Sequence, residues 1–229
     1  MKIRLQQGKL YQWLPLACLL TFSGGFIDAY TFIDRGQTLV GGQTGNVVFL
    51  SVELIHQNLV GAEVKLASGL AFMAGILLVS LLRTRLHGDF WRLMTILPMM
   101  IGCFIVGFLS TDIPNIYIVP PLSFASGMLT TAFGEAEGLD YNNAFMTGNI
   151  KKTMMALGAF LTNPNAQTLK NSLVFFSLIT SFASGAISSA YLIKITQERT
   201  IHLAGVLLVV AFVLYAGLIY RQKGYENQA

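Results

Sequence analysis

Six long apolar stretches, separated by short polar connections, limit this chain to the folds that a lipid bilayer allows. A helix needs about 20 mainly apolar residues to cross the hydrocarbon core. Because backbone groups in that core must satisfy their own hydrogen bonds, each stretch is predicted to be an α-helix. The stretches lie at about 14–33, 66–86, 92–110, 117–134, 172–193 and 201–220.

The composition excludes several other classes of protein. Hydrophobic residues make up 54% of the 229 residues and charged residues 11%, whereas soluble domains carry about 25% charged residues. Cys18 and Cys103 are too few for a disulfide framework or a four-ligand zinc site. The net charge of +4 comes from residues at the ends of apolar stretches, without the broad basic patch that nucleic-acid binding requires. We therefore expect an all-α polytopic membrane protein.

The first stretch follows a basic leader with Lys2, Arg4 and Lys9, which resembles the start of a signal peptide. However, Asp28 lies within the stretch, no small-residue cleavage site follows, and five more stretches come after it. We interpret the stretch as an uncleaved first helix.

Two shorter apolar stretches, 44–56 and 147–161, open with the same tripeptide, Thr-Gly-Asn. At 1.5 Å per residue each is about 20 Å long, too short for a core of about 30 Å. Length alone leaves open whether they cross the membrane.

The tripeptides belong to a pattern that occurs twice. The first follows Phe-Ser-Gly-Gly at 22–25 and the second follows Phe-Ala-Ser-Gly at 124–127. A further pair, Phe-Met-Ala-Gly at 72–75 and Phe-Ala-Ser-Gly at 182–185, comes next in each half. Small residues recur in membrane helices for packing alone, but three landmarks in one order favour a duplication. The repeats are predicted at about 14–110 and 117–220, within a single transmembrane domain.

The distribution of lysine and arginine predicts the topology, because these residues concentrate on the cytoplasmic side. Six spans place 11 cations inside and 4 outside, whereas eight spans place 7 inside and 8 outside. Six spans with cytoplasmic termini are therefore favoured. The 11 inner cations are Lys2, Arg4, Lys9, Arg83, Arg85, Arg92, Lys151, Lys152, Lys170, Arg221 and Lys223. The 4 outer cations are Arg35, Lys65, Lys194 and Arg199.

Six spans divide into three per repeat, and an odd number makes the second repeat enter the membrane from the opposite side. We predict six transmembrane helices in two inverted repeats of three spans. The Thr-Gly-Asn segments then become two half-helices that enter from opposite faces. Inverted repeats with broken helices are a known plan of transporters, whose binding site lies near the middle of the membrane.

The starts of the half-helices are the first candidate site. Thr is a good N-cap, Gly permits close backbone approach, and Asn offers both a donor and an acceptor. Free N–H groups at a helix start suit an anion or a polar group; the alternative is a cap that serves only its own helix. The residues are Thr44, Gly45, Asn46, Thr147, Gly148 and Asn149.

Asp28 is the only acidic residue deep within a predicted long span. A carboxylate there is costly and is expected to face a cavity, pair with a cation or be protonated. It is a candidate proton or cation site; the alternative is a structural hydrogen bond to a Thr-Gly-Asn loop or to Tyr30. Thr130 occupies the matching position of the second repeat, and Gly25 completes the candidate solute-binding set.

Enzyme and metal motifs are missing from the sequence, so no catalytic residue, metal or cofactor is predicted. Lys151 and Lys152 are interpreted as cytoplasmic anchors, with an anion site as the alternative. The acidic residues that offset these lysines are expected to be Glu135, Glu137 and Asp140.

The segment from Ser23 to Tyr30, followed by Gln43-Thr44-Gly45-Asn46, resembles the signature of the YoaK-like family. The resemblance continues through Ser126-Gly127 and Met146-Thr147-Gly148-Asn149 and covers nearly the whole chain. It implies a multi-pass protein of the bacterial inner membrane, classed under a domain of unknown function, without a settled substrate. The family's Gln-Asn-Ala run after the second-half glycine is replaced here by Leu129-Thr130-Thr131.

The leading hypothesis is a small secondary transporter or channel-like permease for a small polar or anionic solute, coupled to protons through Asp28. The alternative is a non-transporting membrane scaffold or accessory subunit. The chain is small for a transporter, which favours a homodimer. Small-residue faces at Gly69/Gly75 or Ser184/Ser188 are the expected contacts between copies.

Overall fold

The computed structural model describes residues 10–86 and 88–226, with side chains as far as residue 222, and the described chain is almost entirely helical. Its helices are α1 (Leu14–Asp34), α2 (Gln43–Ile55), α3 (Leu59–Leu82), α4 (Phe90–Val106), α5 (Val119–Ala132), α6 (Met146–Thr162), α7 (Ala166–Thr196) and α8 (Ile201–Glu226). All eight stretches predicted to be helical are helices, which confirms the all-α fold class. Lys2, Arg4 and Lys9 of the leader lie outside the described residues, as does the side chain of Lys223.

Three helical stretches of the described chain are long and apolar enough to cross a membrane: Leu14–Asp34, Leu59–Leu82 and Ala166–Gln222. The third contains both α7 and α8, which are separated by the 3-10 turn Gln197–Thr200. The helix Phe90–Val106 is apolar but shorter. Large apolar side chains such as Leu70 and Ile187 cover the outside of these helices, an arrangement typical of helices surrounded by lipid.

Glycines of the repeated motifs hold α1 against α7. A Cβ atom on Gly25 would lie closer than 3.0 Å to the carbonyl oxygen of Phe182, and one on Gly185 would lie equally close to that of Phe22. Real Cβ atoms essentially never make such short approaches, so both positions require glycine. Because the order of the contacting residues is reversed between the two helices, α1 and α7 are antiparallel.

The pair formed by α3 and α5 repeats this geometry. A Cβ atom on Gly75 would crowd the carbonyl oxygen of Phe124, and one on Gly127 would crowd that of Phe72. Each pair therefore joins the first helix of one half, α1 or α5, to the helix of the other half that follows its tripeptide helix, α7 or α3. Gly75 is packed inside the protein in this way, so the expectation that it contacts a second copy is wrong.

The short helices α2 and α6 pack mainly on α3 and α7 respectively. Asn46 is the only buried residue of α2, and Asn149 and Thr153 are the only ones of α6. Apolar residues such as Val47 and Ile55 are exposed on the remaining faces. The tripeptide asparagines, with Thr153 in α6, are therefore the points at which these helices reach the core.

Two of the four cations predicted on the outer side are buried inside the protein. Arg35 is fully buried, and Lys65 is 2% exposed. The ammonium of Lys65 lies 2.9 Å from Glu53 Oε1 and 3.2 Å from the carbonyl oxygen of Gly36. Its hydrogen bond, together with one from Asn58, lowers the pKa of Glu53.

A small hairpin that the sequence did not predict joins Glu135–Ala136 to Leu139–Asp140. Glu137 and Gly138 at its tip both have positive φ, as a type I′ turn requires. Glu137 pairs with Lys170 rather than with the lysines of α6. Lys152 donates to the backbone carbonyl of Asp140 and not to its carboxylate, so the expectation that these acidic side chains offset the lysines of α6 stays a prediction.

Candidate functional site

The two tripeptide asparagines brace the loops that precede their helices. Asn46 Oδ1 accepts from the N–H of Leu39 at 2.8 Å, and Asn46 Nδ2 donates to the carbonyl of the same residue at 2.6 Å. Asn149 makes the same two bonds with Asn142, at 3.3 and 2.7 Å. In both cases the partner lies seven residues earlier. The amide thus takes the place of a backbone partner, which closes the loop.

The threonines of the tripeptides do not cap their helices. Gly42 is the N-cap of α2 and Phe145 is the N-cap of α6, and neither cap makes a side-chain hydrogen bond. Thr44 and Thr147 are the second residues of the two helices and are exposed. The N-cap interpretation of these threonines is therefore wrong, because other residues provide the caps.

Asp28 caps α2 from the neighbouring helix α1. Its Oδ1 accepts from the N–H of Gly41 at 2.7 Å, and its Oδ2 accepts from the N–H of Gly42 at 3.1 Å. The side chain is buried. Of the two structural partners considered from the sequence, Asp28 bonds the loop, whereas the Tyr30 hydroxyl donates to the Glu198 carbonyl.

The second repeat caps the corresponding positions with a neutral group. Asn142 Oδ1 accepts from the N–H groups of Ala144 and Phe145, at 2.9 and 3.0 Å. Thr130, which matches Asp28 in the repeat, donates to Asn143 Oδ1 at 2.7 Å. Both first helices therefore bond the loop of their own half, but only the first repeat uses an ionisable group.

The starts of α2 and α6 meet in the middle of the molecule. A Cβ atom on Gly41 would lie 2.7 Å from the Cβ of Ala144. Beside this contact is a cavity of about 20 Å³, here called the central cavity. It has room for about one water molecule. Its polar lining residues are Asp28, Ser126, Thr130 and Asn143.

A larger space of about 660 Å³, here called the side groove, opens on the other side of the same contact. Its walls are mostly apolar and include Phe32, Phe145 and Phe182. Five residues of the predicted site line this groove: Gly25, Asp28, Thr44, Gly45 and Thr147.

The remaining predicted residues are distributed differently. Thr130 lines the central cavity with Asp28, whereas Asn46, Gly148 and Asn149 line neither space. Sequence reasoning missed Ser126, Asn142 and Asn143. The signal for Ser126 was its place in a repeated landmark, and that for the asparagines was their position just before the second tripeptide. Solute binding by any of these residues stays a prediction.

Comparison with known proteins gives a family for the chain. A family model described as a protein of unknown function (DUF1275) matches residues 16–214. The chain belongs to the DUF1275 family. This confirms the resemblance inferred from the sequence motifs. The match covers both tripeptides of this DUF1275 member, and neither curated proteins nor solved structures give a match.

We expect Asn46→Ala to destabilise this DUF1275 member. The change removes both bonds to Leu39 and leaves the Leu39 N–H without its acceptor, which costs about 2 kcal/mol. The melting temperature of the purified protein in detergent is expected to fall by about 5 °C. Asn171→Ala is the control, since among the described residues that side chain bonds only Gln167, on the exterior. Equal melting temperatures for the two variants would contradict the bracing role.

Proposed function

We propose that this protein is a small secondary transporter or channel-like permease for a small polar or anionic solute, coupled to protons through Asp28. One observation carries the proposal: two helix starts meet beside a buried carboxylate, between the central cavity and the side groove. Non-helical backbone at membrane depth is tolerated where it is buried in protein or lines a cavity. Transporters bind solutes and ions at such breaks.

We further infer six spans in two inverted repeats, in the bacterial inner membrane and with cytoplasmic termini. Arg35, just after α1, donates to the carbonyls of Leu109 and Ser110, just after α4. Helices α1 and α4 therefore run in the same direction. Arg92, near the start of α4, donates to the carbonyl of Ala132 at the end of α5. Helix α5 therefore runs opposite to α4 and α1, which supports an inverted second repeat.

The burial of two outer cations strengthens the charge argument. The positive-inside rule concerns cations in loops and near helix ends, and Arg35 and Lys65 are instead enclosed by protein. Without them, the outer side keeps only Lys194 and Arg199. The remaining distribution supports cytoplasmic termini.

The hydroxyls of Thr44 and Thr147 are the polar groups of the tripeptides that a solute in the side groove meets first. The N–H groups of Gly41, Gly42, Ala144 and Phe145 are already bonded to Asp28 and Asn142. A solute reaches these N–H groups only by displacing a cap. We therefore assign first contact to the threonines and coupling to Asp28.

The test is solute uptake into liposomes that contain the purified protein and a pH gradient. Acetate, phosphate, urea and glycerol serve as probes, and a trapped pH dye reports proton movement. We expect Asp28→Asn to abolish coupled flux. We expect the double change Thr44→Val, Thr147→Val to slow the flux about tenfold, which is the effect of losing about one hydrogen bond to the solute. Asp140→Asn, at an exposed carboxylate, is the control. Flux that persists unchanged in both variants would overturn the site assignment.

The second candidate is a non-transporting membrane scaffold or accessory subunit. It is favoured by the tripeptide asparagines, whose side-chain amides are already bonded within the protein, to their own loops and, for Asn46, also to Gln43 and Ser68. In that case the liposomes show no flux above protein-free liposomes for any probe, while Asn46→Ala still destabilises the fold. The two measurements together distinguish the candidates.

A further inference from the structure

Asp28 and the backbone of Gly41 and Gly42 separate the central cavity from the side groove. Asp28 and Ala144 line both spaces, whereas Gly41 lines only the cavity and Gly42 only the groove. The two hydrogen bonds of the Asp28 carboxylate therefore hold the backbone that keeps the spaces apart.

The charge state of Asp28 determines how well it holds this backbone. An ionised carboxylate has an acceptor oxygen for each of the two N–H groups. A neutral carboxyl group keeps one carbonyl oxygen as an acceptor, while its hydroxyl oxygen accepts only weakly, and an amide group has an NH2 donor in place of one oxygen. Neutralising Asp28 therefore weakens or removes one of the two bonds to Gly41 and Gly42.

Other charged groups do not compensate for this change. Within the described part of the chain, the residues that line the two spaces come from α1, α2, α4, α5, α6, α7 and the loops before α2 and α6. Asp28 is the only titratable one among these described residues. The nearest charged residue of α1 is Asp34, and Arg35 follows the end of this helix; both lie more than one helical turn from Asp28. Asp28 therefore acts on the backbone between the two spaces without help from another charged group that lines them.

The second repeat offers an internal comparison. Its two N–H groups are held by the Asn142 side chain, which does not titrate and belongs to the same loop. The start of α6 thus stays capped whether or not Asp28 is charged. Because only the start of α2 has an ionisable cap, we expect the start of α2, and not that of α6, to move when Asp28 changes its charge.

We propose that the bonds from Asp28 to Gly41 and Gly42 form a gate, which opens the central cavity to the side groove when the carboxylate is neutralised. The start of α2 moves while the start of α6 remains in place. The inference rests on the proposed function only in that the gate lies on the solute pathway. The gate itself can be tested without measuring transport.

Hydrogen exchange of the unmodified protein tests the asymmetry. Exchange is measured for segments 39–46 and 142–149 at pH 8 and pH 5, after correction for the intrinsic effect of pH. We expect protection of 39–46 to fall about tenfold at pH 5, as for the loss of one hydrogen bond to a charged group. Segment 142–149 should keep its protection. Equal changes in both segments, or no change in either, would overturn the gate.

Cysteine labelling tests the opening. Ser126 lines the central cavity and makes no hydrogen bond within the described chain, so Ser126→Cys is a mild change. We expect a small thiol reagent to label this cysteine about tenfold faster when Asp28→Asn is also present, at one fixed pH. Ser184→Cys is the matched control, because Ser184 stands in the same Phe-Ala-Ser-Gly sequence but faces outward. Labelling is read at each position by peptide mass.

The outcomes separate the gate from the proposed function. Equal labelling rates at position 126 with and without the Asp28→Asn change would mean that the charge of Asp28 does not control access to the central cavity. The gate is then wrong, even if the liposomes transport a solute. Faster labelling with no flux for any probe supports the gate and contradicts transport.

Discussion

Replacing Gly127 with alanine is expected to lower the melting temperature of the purified protein by about 5–10 °C. The new Cβ would collide with the backbone carbonyl of Phe72, which has no side-chain freedom to move away. The helices α3 and α5 must separate to relieve the contact, and the loss of close packing removes the main attraction between helices in a membrane.

Gly158→Ala is the matched control for this prediction. Gly158 is also helical, but a Cβ there would meet no atom of the described residues within 4 Å. Alanine favours a helix over glycine by up to about 1 kcal/mol, so this variant is expected to melt at the same temperature or higher. Equal destabilisation by both changes would show that helix propensity, not the crossing, is responsible.

Double changes test whether two glycines stabilise the same helix contact or two separate helix contacts. Gly75 and Gly127 belong to the same helix pair, so a second alanine there enters an interface that has already separated. Gly25 and Gly127 belong to different pairs. We expect the effect of Gly75→Ala with Gly127→Ala to be smaller than the sum of the single effects, and that of Gly25→Ala with Gly127→Ala to be additive.

Arg35→Met is expected to destabilise the protein by about 3 kcal/mol. The fully buried guanidinium donates to the carbonyls of Leu109 and Ser110, at 2.8 and 3.0 Å, and to the Tyr30 hydroxyl. Methionine fills part of the volume but donates no hydrogen bond, so the Leu109 carbonyl and the Tyr30 hydroxyl lose the donor that Arg35 provides, whereas the Ser110 carbonyl keeps only the N–H of Ile113. The melting temperature should fall by about 6–12 °C.

Arg199→Met, which removes an exposed charge after α7, is the control and should leave the melting temperature unchanged. Arg35→Lys adds a second comparison, because it keeps the charge but not the planar group that reaches several acceptors at once. If the Arg35→Lys variant had the melting temperature of the unmodified protein, the positive charge alone would explain the role of Arg35. An unaltered melting temperature for Arg35→Met would refute the tie between α1 and α4.

The helices could be predicted from the sequence, because length and hydropathy suffice to recognise apolar segments of this kind. The short helices were predicted as apolar stretches at 44–56 and 147–161 with a shared tripeptide at their starts, and these bounds agree closely with Gln43–Ile55 and Met146–Thr162. The repeated glycines were recognised as landmarks. Their partners could not be, since a helix crossing depends on which distant segment comes near.

The details of the site were harder to predict. Thr44 and Thr147 have the residue type of a good cap, yet Asp28 from another helix and Asn142 from the loop cap these helices instead. The bond between Asn46 and Leu39 spans seven residues outside regular structure, so no helical or strand period indicates it. Such contacts follow from loop shape, which the sequence pattern does not describe.

The glycine crossings also bear on the order in which the molecule assembles. Gly25 and Gly185 stand near opposite ends of the chain, and their contact joins α1 to α7. During synthesis α1 is made long before α7, so its glycine face has no partner from this chain until most of the polypeptide has been produced. The contact between α3 and α5 can form earlier. The contact between the helices from the middle of the sequence, α3 and α5, can therefore form before the contact between α1 and α7. Neither half can complete its own packing before the other has been made.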